Sequence, residues 1–451
     1  MVAVRQTALT DGESRENRMQ STQVGLVGFG TVGTGVARLL LDHGDRIARH
    51  SGHRLLLSHV VALNVEKPRD VSLPEGVLSN DIRRILNDQN VTVAALLVGG
   101  LEPARTIALD LLARGKDLVT ANKALLAEHG TELFDAARRH GRSIAFEAAV
   151  AGGIPIITNI SQCLSANQIL SLRGILNGTS NFIINQMEEQ GTDFASALAE
   201  SQRLGYAEAD PTMDVDGSDA AQKLAILAHL AFGSRLHWSK IPRVGIDRIQ
   251  LADLHFAKEL GYRIRLIAVA QLVGQELEIH VSPTLVKIGR PLAEVRQAYN
   301  AVSVQGDAVG RLFFHGLGAG RMPTASAVVA DLIDTAVGRA QITFHALDLW
   351  SQRAEGVALC DHNRTTGRYY LRFDVADSPG VLAEITGIMG RHRISIASVI
   401  QPEPGERFDG YVPLVIMTHE ATEGEATAAE LEIGRLAVVR GKIIRLRVLG
   451  N

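Results

Sequence analysis

The sequence predicts an α/β protein: a doubly wound parallel sheet, then an α+β domain, then a small βαββαβ module. Three observations carry this expectation. Apolar strand-like runs alternate with helical periodicity from Gln23 to Pro155, the pattern of a parallel sheet covered by helices. Strand-like runs then recur between Gln168 and Phe314 without that alternation, which reads as a mostly antiparallel sheet with helices. A Gly-, Asn- and Thr-rich stretch follows Trp350, and the order β, α, β, β, α, β fills the rest. At 451 residues the chain has room for two or three domains with their own cores. Hydrophobic residues at 46% and charged residues at 21% exclude a disordered or low-complexity chain. A net charge of −3 supplies no field to draw nucleic acid or an anionic membrane, and no apolar run is long enough to span a bilayer. Cys163 and Cys360 lie far apart without metal-ligand spacing, which excludes a disulfide framework and fits a reducing, cytoplasmic setting. Residues 1–21 are polar, have no apolar signal core and read as a disordered tail.

The first strand, Gln23 to Val27, leads straight into Gly28-Phe29-Gly30-Thr31-Val32-Gly33 and a helical run with Val32, Val36, Leu39 and Leu40 on one side. Strand, glycine turn and helix in this order form a Rossmann-type dinucleotide fingerprint. Gly28 makes the tight turn, Gly30 lets backbone approach a pyrophosphate, and Gly33 allows close helix–strand packing. The next strand, His53 to Leu63, ends in Asn64-Val65-Glu66-Lys67-Pro68-Arg69, on the side expected to face the adenosine ribose. Glu66 suits a ribose hydroxyl, while Lys67 and Arg69 suit a 2′-phosphate, so the reading covers NAD or NADP and leans to NADP. Val91 to Val98 is a continuous apolar run that ends at Gly99-Gly100, as a central parallel strand does. Helix Ala104–Arg114, strand Lys116–Val119, helix Thr131–Arg139 and strand Ser143–Phe146 continue the alternation. Thr120, Lys123 and Glu147 follow the carboxyl ends of strands, where such sheets carry their ligand chemistry.

In the middle of the chain, strand Gln168–Leu176 runs into Asn177-Gly-Thr-Ser-Asn181, with Thr179 and Ser180 as helix caps and Phe182 opening the helix. Further strand-like runs are Arg263–Leu272, Glu276–Val286 and Asn300–Phe314. Between them lies an acidic loop with Glu208, Asp210 and Asp214 around Pro211, which turns at Asp216-Gly217 into an apolar helix. Asp219 and Lys223 are four positions apart on that helix, so their side chains share one face. A buried acid and amine there can hold a polar amino acid and move a proton. Such a pair also simply stabilises helices, and Asp210 and Asp214 can belong to a substrate shell or to the loop itself. A second glycine run, Gly316-Leu-Gly-Ala-Gly320, precedes a helix over Thr324–Ala336 and returns the chain to the cofactor or acts as a hinge.

Gly28-x-Gly30-x-x-Gly33, TANK at Thr120–Lys123, FEAAVAGGIPII at Phe146–Ile157, LRGILNGTSNFI at Leu172–Ile183, LGYAEADPTMDVDGSDAAQKL and GLGAGRMPTASAVVADL occur in this order. Together they resemble homoserine dehydrogenase over residues 22 to 450. The resemblance implies NAD(P)-dependent interconversion of L-homoserine and L-aspartate 4-semialdehyde. It implies Lys223 as proton donor and acceptor, with Lys123 at substrate and cofactor. Glu208 and Asp219 match substrate-binding positions, with Asp214 beside them. Gly99, Thr120, Gly205 and Gly320 match cofactor contacts, added to Gly28 through Gly33. Glu147 with the carbonyls of Val150, Gly152 and Ile154 matches a site for a monovalent cation, sodium. The organisation expected is a dinucleotide-binding domain at 22–155 and 316–345, and a substrate and dimerisation domain at 156–315. A linker at 346–367 and a regulatory module at 368–451 complete it, in a homodimer or homotetramer. Two departures bear on cofactor preference. The strand before Gly99-Gly100 has only apolar residues where the family often carries an acidic one, and the arginine common near Asn64 in the family is not matched at its usual place.

Asp377-Ser-Pro-Gly380-Val-Leu-Ala-Glu-Ile at the first turn of the C-terminal module resembles the ACT domain, a ferredoxin-like amino-acid sensor. The family expectation is threonine as effector, and pairing of subunits without a ligand is the other use of such a module. Two different functions stay open at this point: a catalytically silent amino-acid sensor on the same scaffold, and a dehydrogenase of another small amino acid. The first requires a disrupted site, whereas Lys123, Glu208, Asp219 and Lys223 are all present.

Overall fold

The computed structural model describes residues 19–348, 350, 356–403 and 409–450. The predicted tail therefore lies outside the described residues except at its end. There the first strand begins earlier than expected, because Gln20–Thr22 pair with His53–Leu55 and the Thr22 hydroxyl bonds the His53 ring at 2.7 Å. The chain forms two compact units, one of residues up to Gly153 with Gly320–Ser351, the other of Ile154–Ala319 with the remainder.

The first unit holds a six-stranded sheet of β1 (Gln20–Val27), β2 (His53–Val61), β3 (Leu78–Ser79), β4 (Val91–Leu96), β5 (Asp117–Thr120) and β6 (Ile144–Ala145). Its order is β3-β2-β1-β4-β5-β6 and every pairing is parallel. The order reverses between β1 and β4, which opens a crevice beyond their carboxyl ends. Val24 and Leu26 of β1 join Val36 and Leu40 of helix Thr31–Asp42 in one core with Val328 and Leu332 of helix Arg321–Ala336. Full burial stabilises each such side chain by about 1.5–3 kcal/mol. The helix after the second glycine run thus packs in the nucleotide-binding unit.

The second unit contains β7 (Ile169–Ile175), β8 (Tyr262–Val273), β9 (Glu276–Lys287), β10 (Tyr299–Gly306), β11 (Gly310–Leu317) and β12 (Ala358–Leu359). Its C-terminal part adds β13 (Thr366–Ala376), β14 (Ile396–Ile400), β15 (Tyr411–Thr418), β16 (Ala421–Thr422) and β17 (Val439–Val448). The predicted single strand Asn300–Phe314 is instead the hairpin β10–β11. Asp307 turns it, its Oδ1 accepting the Gln168 and Ala308 amides, and Gly310 adopts φ +74°. The valines and phenylalanines on both sides of the turn concealed it. Part of the stretch expected as a linker also pairs, since β12 lies parallel to β9.

The C-terminal module orders its main strands β17-β13-β15-β14, all antiparallel, with helices Val381–Arg391 and Glu423–Ile433 on its core. This is the ferredoxin-like arrangement. The module is not tethered by a loop alone. Arg447 and Val448 of β17 pair with Thr284 and Leu285 of β9, so one sheet runs through the substrate part and the module. Asp253, fully buried in helix Leu251–Glu259, accepts Arg372 Nε at 2.7 Å and the Tyr370 hydroxyl at 3.1 Å, both from β13. Burial, with the Asp253 charge behind it, pushes the Tyr370 phenol up and keeps it protonated as a donor. No helix among the described residues is long and apolar enough to cross a membrane.

Candidate active site and cofactor cradle

In the first unit the fingerprint turn sits at the sheet's reversal point. The Gly28 amide donates to Val61 O at 2.9 Å and the Leu97 amide to Val27 O at 2.7 Å, so the turn is fixed from both neighbouring strands. A Cβ on Gly33 would drive into the Gly28 carbonyl, whereas one on Gly30 would meet nothing within 4 Å. The first glycine contact is filled by protein and the second is left open for a ligand, as a pyrophosphate at the N-terminus of helix Thr31–Asp42 requires. Gly33→Val is expected to abolish dinucleotide binding, read by loss of reduced-nicotinamide fluorescence enhancement in a protein with wild-type circular dichroism. Retained binding would remove the turn from the cofactor site.

Thr31 is exposed and Val32 half-buried at that helix start, while Phe29 is buried beneath the Arg69 guanidinium, 4.7 Å from its ring centre. Arg69 donates to Phe29 O at 2.9 Å, Asn64 O at 2.8 Å and Lys67 O at 2.7 Å. It clamps two loops together rather than pointing at a ligand, which leaves Lys67 and Glu66 as the exposed charges there. Thr120 is fully buried, donating to Leu96 O and accepting the Asn122 amide, so its side chain holds the loop after β5. Asn122 donates to Val98 O and Gly100 O and caps helix Lys123–Arg139, which sets the Gly99 loop and the start of the Lys123 helix together.

Glu147 is 4% exposed in a buried turn, and its amide donates to Asp331 Oδ2 at 2.8 Å. Burial and then the Glu147 charge push the Asp331 carboxyl well above the usual carboxylate range. Val150 and Gly152 continue this buried loop, with Ala151 at φ +50°, and Ile154 opens the second unit. Among the described residues no cluster of three His, Cys, Asp or Glu side chains forms. A carboxylate with loop carbonyls is a hard-oxygen combination, of the type that suits a sodium ion rather than a transition metal.

The second unit gathers the polar centre. Asp219 and Lys223 lie on helix Ser218–Phe232 with side chains only 8% and 12% exposed, and Lys223 Nζ donates to Asp219 Oδ2 at 2.8 Å. That Nζ also donates to Leu176 O at 2.7 Å, at the end of β7. An ammonium has three hydrogens, so one is left beyond these two acceptors. Asn177 Nδ2 donates to Asp219 Oδ2 at 2.8 Å and to Asp214 Oδ1 at 2.7 Å.

Asn177 is the residue the sequence reading missed. It caps helix Gly178–Gln190 by accepting the Ser180 amide at 2.7 Å, so Thr179 and Ser180 lie inside a helix that begins before Phe182. Its position between a strand end and a helix start was the available signal, but the second use of its side chain was not. Asp214 joins this centre. Asp210 instead folds the loop, its Oδ1 accepting the Thr212 amide at 3.1 Å and the Thr212 hydroxyl at 2.6 Å. Glu208 is exposed on the same loop, and Gly205 turns at φ +77° just after helix Phe194–Arg203. Gly320 belongs to the first unit, where it precedes helix Arg321–Ala336 at φ +116°.

A parallel sheet with an open glycine turn at its reversal point is the scaffold of NAD(P)-dependent oxidoreductases, and this chain is one. Comparison with known proteins makes the class specific. Residues 28–147 match the family model "Homoserine dehydrogenase, NAD binding domain", 155–333 match "Homoserine dehydrogenase", and 369–434 match "ACT domain". A homoserine dehydrogenase of Pseudomonas aeruginosa is 42% identical over 95% of this chain and 99% of its own length. One from Bacillus subtilis is 37% identical over 96% and 99%. The crystal structure of a homoserine dehydrogenase from Thiobacillus denitrificans superposes with a TM-score of 0.86 at 40% identity, covering 96% of this chain and 99% of that one. The chain belongs to the homoserine dehydrogenase family.

Proposed function

We propose that the chain interconverts L-homoserine and L-aspartate 4-semialdehyde, with Lys223 moving the hydroxyl proton. The observation that carries this reading is the buried Lys223, anchored by Asp219 and Leu176 O with one N–H left over. Bound nicotinamide supplies the hydride acceptor at its C4 position. In the oxidative direction the amine form of Lys223 takes the proton from the substrate hydroxyl. In the reductive direction its ammonium returns a proton to the developing alkoxide. Asp219, itself fixed by Asn177, orients the lysine. Asp214 and Asp219 come together on the Asn177 amide, an acidic setting that suits the substrate's own ammonium group, and Glu208 adds a third carboxylate from the loop. Lys123 serves substrate and cofactor. Gly28, Phe29, Gly30, Thr31, Val32, Gly33, Gly99, Thr120, Gly205 and Gly320 serve the dinucleotide, mostly through backbone.

The exposed Lys67 beside the ribose-side loop supports NADP over NAD. Sodium at Glu147, Val150, Gly152 and Ile154, threonine as effector of the C-terminal module, a homodimer or homotetramer, and work in the cytoplasm complete the reading. The test is absorbance of the reduced nicotinamide with homoserine and either cofactor. Homoserine-dependent reduction is expected, with a lower KM for NADP than for NAD. A folded protein giving no signal with either cofactor overturns the function.

A further inference from the structure

The junction between the substrate sheet and the C-terminal module lines a half-open cavity of about 410 Å³. Its walls come from the segment Pro242–Val244, from Val281–Pro283 of β9, and from the module's Tyr369, Glu423, Thr427 and Arg445. The volume is in the range of small-molecule sites. It is distinct from the Asp377–Gly380 turn, which lies at the other end of β13, roughly 25 Å from Tyr369 at about 3.3 Å per residue.

The charges on the cavity are uneven. Arg445 and Arg447 both bond Glu423 at 2.5 Å, and they are further balanced by Glu430 at 2.7 Å and Glu278 at 3.3 Å. Tyr369 completes the Glu423 shell with its hydroxyl at 3.0 Å. Arg243 has no carboxylate partner among the described residues. Its guanidinium lies against Trp238, 5.4 Å from the ring centre, and reaches only Ser239 O at 3.3 Å. His280 and His362 also line the cavity, and burial holds both imidazoles below their ordinary pKa, hence neutral. An unbalanced guanidinium beside neutral imidazoles, on the wall of a half-open cavity, is a candidate carboxylate receptor.

The wall that carries Arg243 also seats the helix of Asp219 and Lys223. The Val244 amide donates to Val281 O and the Val281 amide to Pro242 O, both at 2.9 Å, which zips this segment onto β9. The Ile246 amide then donates to Val215 O at 2.8 Å. Gly217, the residue before helix Ser218–Phe232, sits where a Cβ would touch Val281 at 3.4 Å and Val244 O at 3.6 Å. A Cβ on Gly245 would collide with Val215 O, so the two segments cannot slide independently. We propose that this cavity is a regulatory site for a small carboxylate-bearing metabolite, amino acids included, read by Arg243 and transmitted through Pro242–Ile246 to the start of the Lys223 helix. The transmission rests on the role proposed for Lys223; the binding site does not.

Titration calorimetry on the full chain tests it, with L-threonine, L-aspartate and malonate as separate probes. At least one is expected to bind once per chain and to change the homoserine KM several-fold. Arg243→Gln is expected to weaken that binding at least tenfold with basal kcat within twofold. Thr427→Phe, filling the cavity from the helical wall, is expected to abolish it, and Asp377→Ala to leave it unchanged. Competition by malonate would show that the carboxylate alone is read, and binding of the amino acids only would show that the ammonium is read as well; either supports the site. No binding by any probe, or binding lost in Asp377→Ala and kept in Arg243→Gln, overturns it. Calorimetry on Lys223→Met separates the two readings, because binding there survives even if the role of Lys223 in turnover is wrong.

Discussion

Lys223→Met is expected to leave a folded protein that oxidises homoserine about 10²–10⁴-fold more slowly, with a much smaller change in KM. Methionine keeps most of the lysine's length and volume, so the helix face stays filled. What disappears is the proton carrier, and the loss falls on kcat because a proton in flight is a transition-state interaction. A thousandfold loss corresponds to about 4 kcal/mol of barrier. A structural cost comes with it: Asp219 loses its cation while nearly buried, and a broken buried pair costs about 3–5 kcal/mol. The Asn177 amide still bonds Asp219 and softens that penalty. Rates are therefore compared at a temperature where circular dichroism reports full folding. A kcat within threefold of wild type would take Lys223 out of proton transfer. So would an unaltered pH–rate profile, since the variant has no amine left to titrate.

Asp253→Ala should destabilise the second unit by about 3–5 kcal/mol, the largest stability effect expected outside the active site. Asp253 is fully buried, and Arg372 and Tyr370 both donate to it from the C-terminal module. Removing the carboxylate strands a guanidinium that is itself only 4% exposed, with Gln250 Oε1 at 2.8 Å and Asp374 at 3.2 Å as its remaining partners. The same alanine also removes a cap, because Asp253 Oδ2 accepts the Gln250 amide at the start of helix Leu251–Glu259. Replacing the whole pair behaves differently: Asp253→Leu with Arg372→Met leaves no uncompensated charge and recovers most of the loss. Urea unfolding of the three proteins measures this. A single alanine that moves the midpoint no more than a surface substitution does would mean that the ion pair is not what joins module to substrate part.

Local chemistry was legible in the sequence and long-range chemistry was not. The glycine fingerprint, the alternation of strands and helices and the βαββαβ order are short-range patterns. Five of the six strands of the parallel sheet could be read within a few residues of their ends, the two-residue β3 being too short to leave a pattern. Asp219 and Lys223 were found because one helical turn links them. Asn177 was read only as a turn residue, since its partner Asp219 lies 42 positions away. Arg69 looked like a phosphate ligand because nothing local announces three carbonyl acceptors, one of them 40 positions off. Asp253 and Arg372, 119 positions apart, carried no signal at all. The hairpin at Asp307 was missed for a different reason. Its flanks are so rich in strand-forming residues that propensity ran straight through the turn.

The pairing of β17 with β9 bears on how such a chain could be taken apart. A sensor hung on a flexible leash can be cut off to leave its enzyme intact. Here the twelve residues of β9 find β8 on one side, while short partners, β12 and β17 among them, cover the other. Excising the module would bare backbone amides and carbonyls along an otherwise interior strand, the kind of raw edge that recruits other chains. The C-terminal module is thus also a selvedge, finishing the fabric of the substrate sheet.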